Sequence, residues 1–439
     1  MKRLRFLLAL FILLPVIAEA EVSEIDTAKA NLFPVDDEDA GTVETVVKDK
    51  NIPSRWGYSV FVSPGKVLGL DEWARKWIVK DNTTSVAAEL RYTPQPEDGN
   101  LFAEDYNYPT FSIGFRYSFN HGTELTRVTD EYNSILGDVA TIYGKFSRPI
   151  WRTKHFEFAY YLGTGIGYSH KKYNKTDEVN NEFIGSIWNI YFTAGLSAMY
   201  KIDREWAIVG GVDFSHHSNG ALYRPNKGTN ALGPFIGMAY TPNSNKQKTE
   251  QVAESSQAKG KGYRKGFYLE LSAGLGAKTL LEDWFITQNY SKPTDPKYHT
   301  TKFSVYGAFS FQTDLLYRYA RRWASGIGFD VFYGDYNEKL KTIDKQMKYR
   351  DETHSPWSIG IAAKHEIYFG QLSVRCGIGY YLYRNMGYWA QQEEKRYYER
   401  VGLFYSFKKL GNASLGFSVN AHLTKADFTE LQISYPINL

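Results

Sequence analysis

The chain has 439 residues with 52 Lys+Arg against 48 Asp+Glu, a near balance that gives no concentrated basic face for nucleic acid. Its one cysteine, Cys376, excludes an intramolecular disulfide and a cysteine-rich metal site, and no motif calls for a cofactor. What stands out is an aromatic content of 16%, with 34 tyrosines, in a chain that is not very apolar overall.

Taken in chain order, "MKRLRFLLALFILLPVIAEA" (1–20) has a basic start, an apolar run and an Ala-x-Ala end at Ala18 and Ala20, the layout of a cleaved secretory signal. Its removal takes Lys2, Arg3, Arg5 and Glu19 from the totals and leaves 49 Lys+Arg against 47 Asp+Glu, a net charge of +2. No cysteine lies near the cleavage site, which argues against a lipid anchor. Residues 21–54 are acidic and unpatterned, and are expected to form a periplasmic lead-in. No later apolar run reaches the eighteen or so residues of a helical membrane span.

From residue 56 onward the pattern is alternation. "TFSIGFRYSF" sets Phe111, Ile113, Phe115, Tyr117 and Phe119 on one face and Ser112, Gly114, Arg116 and Ser118 on the other, a period of two that only a strand can use. Eight such segments are expected near 56–64, 83–94, 110–119, 137–149, 155–168, 188–201, 204–216 and 231–241. A polar stretch over 242–265 reads as a linker. Eight more follow near 267–276, 301–313, 321–333, 356–369, 371–383, 397–407, 413–424 and 427–437. "GTGIGYS" (163–169) returns as "RCGIGYY" (375–381), the mark of a duplication. The fold class is therefore all-β, a transmembrane antiparallel barrel with aromatic girdles. Two tandem eight-stranded barrels, over 55–241 and 266–439, are the expectation, because the linker is far longer than a tight turn between neighbouring strands. One sixteen-stranded barrel is the alternative. The last strand, "DFTELQISYPINL", stays apolar on one face to the terminus, like the terminal signal of outer-membrane barrels, though it ends in Leu439.

The stretch "WAIVGGVDFSHHSNG" (206–220) breaks the pattern. Trp206, Ile208, Val212 and Phe214 share the apolar face, and continuing the count puts His216 and Ser218 there too, while His217 points inward with Asp213. A polar group in hydrocarbon is costly unless hydrogen-bonded, and residues two apart on a strand are neighbours that can bond each other. If the N-terminus is periplasmic, this seventh strand rises to the external rim, beside lipopolysaccharide. Ordinary solvated polar residues at a loop tip are the plainer reading of the same residues.

The next residues favour chemistry. "HHSNGALYRPNKGTN" resembles the PagL family of outer-membrane lipid A 3-O-deacylases (acyloxyacyl hydrolase-like), whose barrels carry a His-x-Ser-Asn stretch followed by Pro-Asn-x-Gly. His216, Ser218 and Asn219 match the first part, and Pro225, Asn226 and Gly228 the second. The resemblance covers roughly 55–241. It implies a Ser-His esterase acting on lipid A, in the outer membrane of a Gram-negative bacterium, with a homodimer open to test. His216 would be the base and Ser218 the nucleophile. Asn219, Asn226 and the Gly228 backbone would hold the oxyanion. Arg224 and Lys227 would meet lipid A phosphates, with plain solvated loop charges an equally open reading. The family orients its histidine with a glutamate, and the matching position here is Asn230. No Asp or Glu occurs from Phe214 to Thr249, so no displaced carboxylate in this loop can substitute. An amide oxygen can still fix the imidazole. His217 ranks second as base. A structural or lipopolysaccharide-binding barrel with a decayed site is the alternative function.

In the second half, His422 and Thr424 mimic the His-x-Ser spacing but fall on the polar face with Ser414, Ser418 and Asn420. A lumenal network of His422, Thr424, Lys425, Asp427 and Glu430 is expected there, in a noncatalytic barrel that serves as partner or platform for the first.

Overall fold

The computed structural model describes residues 42–44, 54–242, 251–253, 263–349, 353–423 and 425–439. The expected leader, most of the lead-in, most of the linker and Thr424 lie outside them.

Among the described residues, sixteen strands form the two barrels. β1 (Trp56–Val67), β2 (Ile78–Tyr92), β3 (Thr110–Phe119), β4 (Val139–Arg152), β5 (Phe156–Ser169), β6 (Trp188–Lys201), β7 (Trp206–Ser218) and β8 (Thr229–Tyr240) pair antiparallel in sequence order, and β1 pairs with β8 to close a first barrel. β9 (Gly266–Thr279), β10 (Val305–Ala320), β11 (Trp323–Gly334), β12 (His354–Phe369), β13 (Leu372–Met386), β14 (Tyr397–Phe407), β15 (Ala413–His422) and β16 (Lys425–Asn438) close a second, with β16 pairing back on β9. Two closed eight-stranded barrels replace the single sixteen-stranded alternative. The seam of the first is locally open: the β1–β8 register runs from Leu232↔Lys66 to Ile236↔Val62 across Pro234 and Pro64, which have no N–H to give.

The alternation decides which face meets what. On β3, Ile113 and Phe115 are exposed while Ser112, Arg116 and Ser118 are buried. The same inversion holds around both barrels, with Ile142, Ile166, Ile327 and Ile433 outward. A water-soluble sheet would bury those residues; here they form an apolar band for lipid. The interiors are filled by paired charge. In the first barrel Asp213 accepts from Arg116 at 2.5 Å, from the Tyr161 hydroxyl at 2.7 Å and from Thr193 at 2.9 Å. Beside them Glu89 pairs with Lys145 and accepts from Tyr143 at 2.7 Å. In the second, Lys364 lies 2.7 Å from Asp330 and 3.3 Å from Asp314, Arg375 pairs with Glu270, and Arg400 with Glu430. A buried charge needs this pairing, since one left alone would carry a desolvation cost of several kcal/mol.

Connections differ between the two ends. At the end that holds Trp56, Tyr240, Gly266 and Asn438, most turns are short, as at 153–155, 202–205 and 370–371, the exception being the 93–109 connection, which carries a short helix at Leu101–Asp105. The opposite end carries long loops, at 120–138, 170–187, 280–304 and 335–353. Two of these loops, and the 68–77 connection at the same end, contain helical pieces absent from the strand pattern: α1 (Glu72–Trp77), α2 (Leu281–Asn289) and α3 (Asn337–Gln346). The barrels touch at both ends. At the Trp56 end the Tyr106 hydroxyl donates to the Tyr368 carbonyl at 2.7 Å, and Phe369 packs edge-on against Phe111 and Phe146 and at a tilt against Tyr106. At the long-loop end Tyr173 packs edge-on against Trp284.

The second barrel's lumen differs in part from expectation. His422 and Asp427 do share one cluster, in which the Tyr381 hydroxyl lies 3.0 Å from His422 Nε2, while Lys278 pairs with Asp427 and Arg384 with Glu394. Glu430 belongs instead to the Arg400 group deeper in the barrel, and Lys425 is exposed.

Candidate active site

The site is built by one hairpin, β7–β8. Their register puts His216 directly opposite Asn230, on the face shared with Val212 and Phe214. Directly opposed residues bring their Cβ atoms to about 5 Å, within reach of a side-chain hydrogen bond. Accordingly His216 Nδ1 lies 2.8 Å from Asn230 Oδ1, and His216 Nε2 lies 2.9 Å from Ser218 Oγ. Asn230 Oδ1 can only accept, so the proton sits on Nδ1 and Nε2 is free to take the serine proton. The backbone around Asn230 is tied down as well, its carbonyl accepting from Leu68 N at 2.7 Å.

His216 and Ser218 are half-buried on the outward surface, and Asn230 is buried behind them. His217 takes the opposite face. Its Nε2 lies 3.1 Å from Thr141 Oγ1 and its ring packs on Tyr191 inside the barrel, so it has no line to Ser218.

The loop 219–228 completes the site. Asn226 Oδ1 accepts from Asn219 N at 2.9 Å, drawing Asn226 against the residue that follows Ser218 and leaving only its Nδ2 as a donor. Asn219 Nδ2 is a buried donor with no hydrogen-bond partner, one residue from Ser218. Gly228 departs from expectation. Its N–H is already given to the Phe183 carbonyl at 3.0 Å, so it is not a free donor for an oxyanion. Its contribution is space: a Cβ there would lie 2.7 Å from His216 Cε1, and its φ of +72° suits glycine.

The two loop cations also have other work. Arg224 is buried, and its Nε and Nη2 donate to the Thr279 carbonyl of the second barrel at 3.2 and 2.8 Å, so it does not present its charge to a lipid phosphate. Burial pushes its guanidinium down to about 10, against the opposing pull of Glu282 and Asp427. Lys227 stands 3.2 Å from Asp71 and over the Trp77 ring, at the edge of α1. Burial pushes the Asp71 carboxyl up, but the Ala74 N–H and the Lys227 charge more than offset this and hold it below its ordinary value. Sequence reasoning did not see Leu68, Phe183 or Thr279 as neighbours of the site, since each comes from a distant loop or strand with no motif of its own. Among the described residues no cluster of three or more His, Cys, Asp or Glu is placed to hold a metal ion.

Two family models account for both barrels. "Lipid A 3-O-deacylase (PagL)" matches residues 87–239, and "Acyloxyacyl hydrolase, C-terminal domain" matches residues 267–439. The chain belongs to a PagL-like family. It is thus an outer-membrane β-barrel protein of a lipid A deacylase family, with hydrolase activity and lipopolysaccharide as the family's context. No curated protein matches it. Solved structures similar to this PagL-like chain include a designed transmembrane β-barrel at 17% identity (42% of this chain, 95% of that one, TM-score 0.21). An outer-membrane channel from Pseudomonas putida F1 follows at 9% (90% and 100%, TM-score 0.19), and a Rh. blastica porin mutant at 6% (87% and 99%, TM-score 0.16).

Proposed function

We propose that this PagL-like protein is a serine esterase that removes an ester-linked acyl chain from lipid A at the 3-O position, using His216, Ser218 and Asn230 at the rim of the first barrel. The observation that carries the reading is the unbroken run from Asn230 Oδ1 through the imidazole to Ser218 Oγ, at 2.8 and 2.9 Å, on the outside of a membrane barrel. Four loops of eighteen residues or more at that end, against mostly short turns at the other, favour an external rim, at the level of the lipopolysaccharide leaflet.

In this mechanism Ser218 Oγ bonds to the ester carbonyl carbon as its proton moves to His216 Nε2, and the carbonyl π electrons move onto oxygen. Collapse breaks the bond to the sugar oxygen, which takes the proton from Nε2 and leaves an acyl-serine. Water then repeats the sequence and frees the fatty acid. Asn230 keeps the Nδ1–H donated throughout, so the ring cannot rotate or change tautomer. Asn219 Nδ2 and Asn226 Nδ2 are the donors assigned to the oxyanion; Gly228 is not. Lys227 is the loop cation retained as a lipid A phosphate contact, and Arg224 is not. Comparing lipid A masses from cells that express the parent or Ser218→Ala tests the reading. Loss of one acyl mass with the parent and none with the variant is expected, and identical spectra would refute it. In that case the protein would be a lipopolysaccharide-binding barrel that releases no fatty acid.

A further inference from the structure

The loop that carries Asn219 and Asn226 is gripped from two sides. Its own barrel holds the far part, where Lys227 N and Gly228 N donate to the Glu182 and Phe183 carbonyls at 3.2 and 3.0 Å. The second barrel holds the near part. Thr429 Oγ1 donates to the Gly220 carbonyl at 2.9 Å. Thr279 N and Oγ1 both donate to the Ala221 carbonyl, at 2.8 and 2.9 Å, while the Thr279 carbonyl accepts from Arg224.

These bonds fall where the backbone most needs support. Gly220 has φ +61° and Ala221 has φ +71°, consecutive left-handed residues directly after the Ser218–Asn219 pair. A left-handed alanine is strained and persists only where its surroundings over-determine it. Ala221 is fully buried, and the approach at Gly220 is so close that a Cβ would stand 2.1 Å from Thr429 Oγ1.

The sites on the second barrel are unusual in their own right. By alternation Thr279 lies on the same outward face as Leu271 and Leu275, and Thr429 on that of Leu431 and Ile433, all exposed toward lipid. A hydroxyl on a lipid-facing surface needs a partner. Both hydroxyls find it in the loop of the other barrel, and both are buried there.

We propose that the second barrel is a positioning element for the catalytic loop: Thr279 and Thr429 hold the 220–221 turn, and through it they set Asn219 and Asn226 against Ser218. Hydrolysis by the first barrel then depends on the second. This rests on the esterase reading above.

The test is the full-length double variant Thr279→Val/Thr429→Val, which keeps shape and loses both hydroxyls, with Thr279→Ser/Thr429→Ser as the conservative rescue. Two readouts are taken on protein shown to be folded by heat-modifiable gel migration: kcat and KM for lipid A in detergent micelles, and amide hydrogen exchange over 219–226. The Val variant is expected to lose about 10- to 100-fold in kcat with KM within about twofold, because a loop displaced by about 1 Å spoils orientation rather than binding. Its loop amides are expected to exchange about tenfold faster or more, and Ser should restore both. Unchanged kcat and unchanged loop exchange in the Val variant would overturn the proposal. Should the Val pair fail to fold, single Thr429→Ala is read in the same way. If the parent releases no more fatty acid than Ser218→Ala, the esterase reading is what fails. Loop exchange then decides the clamp alone, faster exchange supporting it and unchanged exchange overturning it.

Discussion

Asn230 is the most informative position, because it stands where the PagL resemblance expects a glutamate. Asn230 is 5% exposed, and its Oδ1 is the acceptor, at 2.8 Å, for His216 Nδ1. Asn230→Ala leaves that N–H without its acceptor in a site where water is scarce, a loss of about 1–3 kcal/mol. The loss falls on the one tautomer that can take the Ser218 proton, so it appears in kcat, as about a 10- to 100-fold drop with little change in KM. Asn230→Asp has the same shape and puts a negative charge beside the imidazolium as it forms. A charge-assisted bond is roughly twice as strong as a neutral one, a gain of about 1 kcal/mol, or about fivefold in kcat. Initial rates of fatty-acid release by purified protein in lipid A micelles measure all three enzymes. An Asn230→Ala enzyme within about twofold of the parent, or an Asn230→Asp enzyme slower than Asn230→Ala, would refute the orienting role.

Three further outcomes are expected. Gly228→Ala puts a methyl 2.7 Å from His216 Cε1 on a left-handed backbone, so activity should fall by about 100-fold while the barrel still folds, read by the same assay and by gel migration. His217→Phe removes the lumenal contact with Thr141 but not the proton path, so kcat should stay within about threefold while denaturant stability falls by about 1–3 kcal/mol; loss of all activity would instead make His217 the base. Because paired charges around Asp213 and Asp330 fill both lumens, the protein should show no steady ion conductance in planar bilayers, and a defined single-channel current would contradict that packing.

How much of this was legible before the fold was known depends on the range of each interaction. Strand parity is a property of one segment, so the outward face of His216 and Ser218 could be counted directly from Trp206. The pairing with Asn230 needed only one hairpin register, and a motif match supplied the position. Loop chemistry was less legible. Arg224 reads as a free cation in a polar loop, yet its hydrogen bonds go to Thr279, and nothing local marks that residue as a partner. Gly228 reads as an oxyanion donor from its place in the motif, but the Phe183 carbonyl already holds its N–H. Helices α1, α2 and α3 were missed for a related reason: they are short, sit inside long connections, and are supported by tertiary contacts such as the Asp71–Lys227 pair.

In the second half of the chain, the strand end that mimics the His-x-Ser spacing turns inward. His422 is committed to a lumenal cluster with Tyr381, Lys278 and Asp427, so that strand end cannot attack a lipid ester. Its neighbours on the outward face took a different course. Thr279 and Thr429 sit at positions where a lipid-facing strand would ordinarily carry an aliphatic side chain, and each spends its hydroxyl on the loop that follows Ser218. An isolated first barrel would expose the Gly220 and Ala221 carbonyls and the Arg224 guanidinium at the lipid boundary, where unpaired polar groups cost several kcal/mol each. On the proposed reading, the loop after Ser218 takes half of its support from the second barrel, and the second half of the chain acts by holding that loop in place.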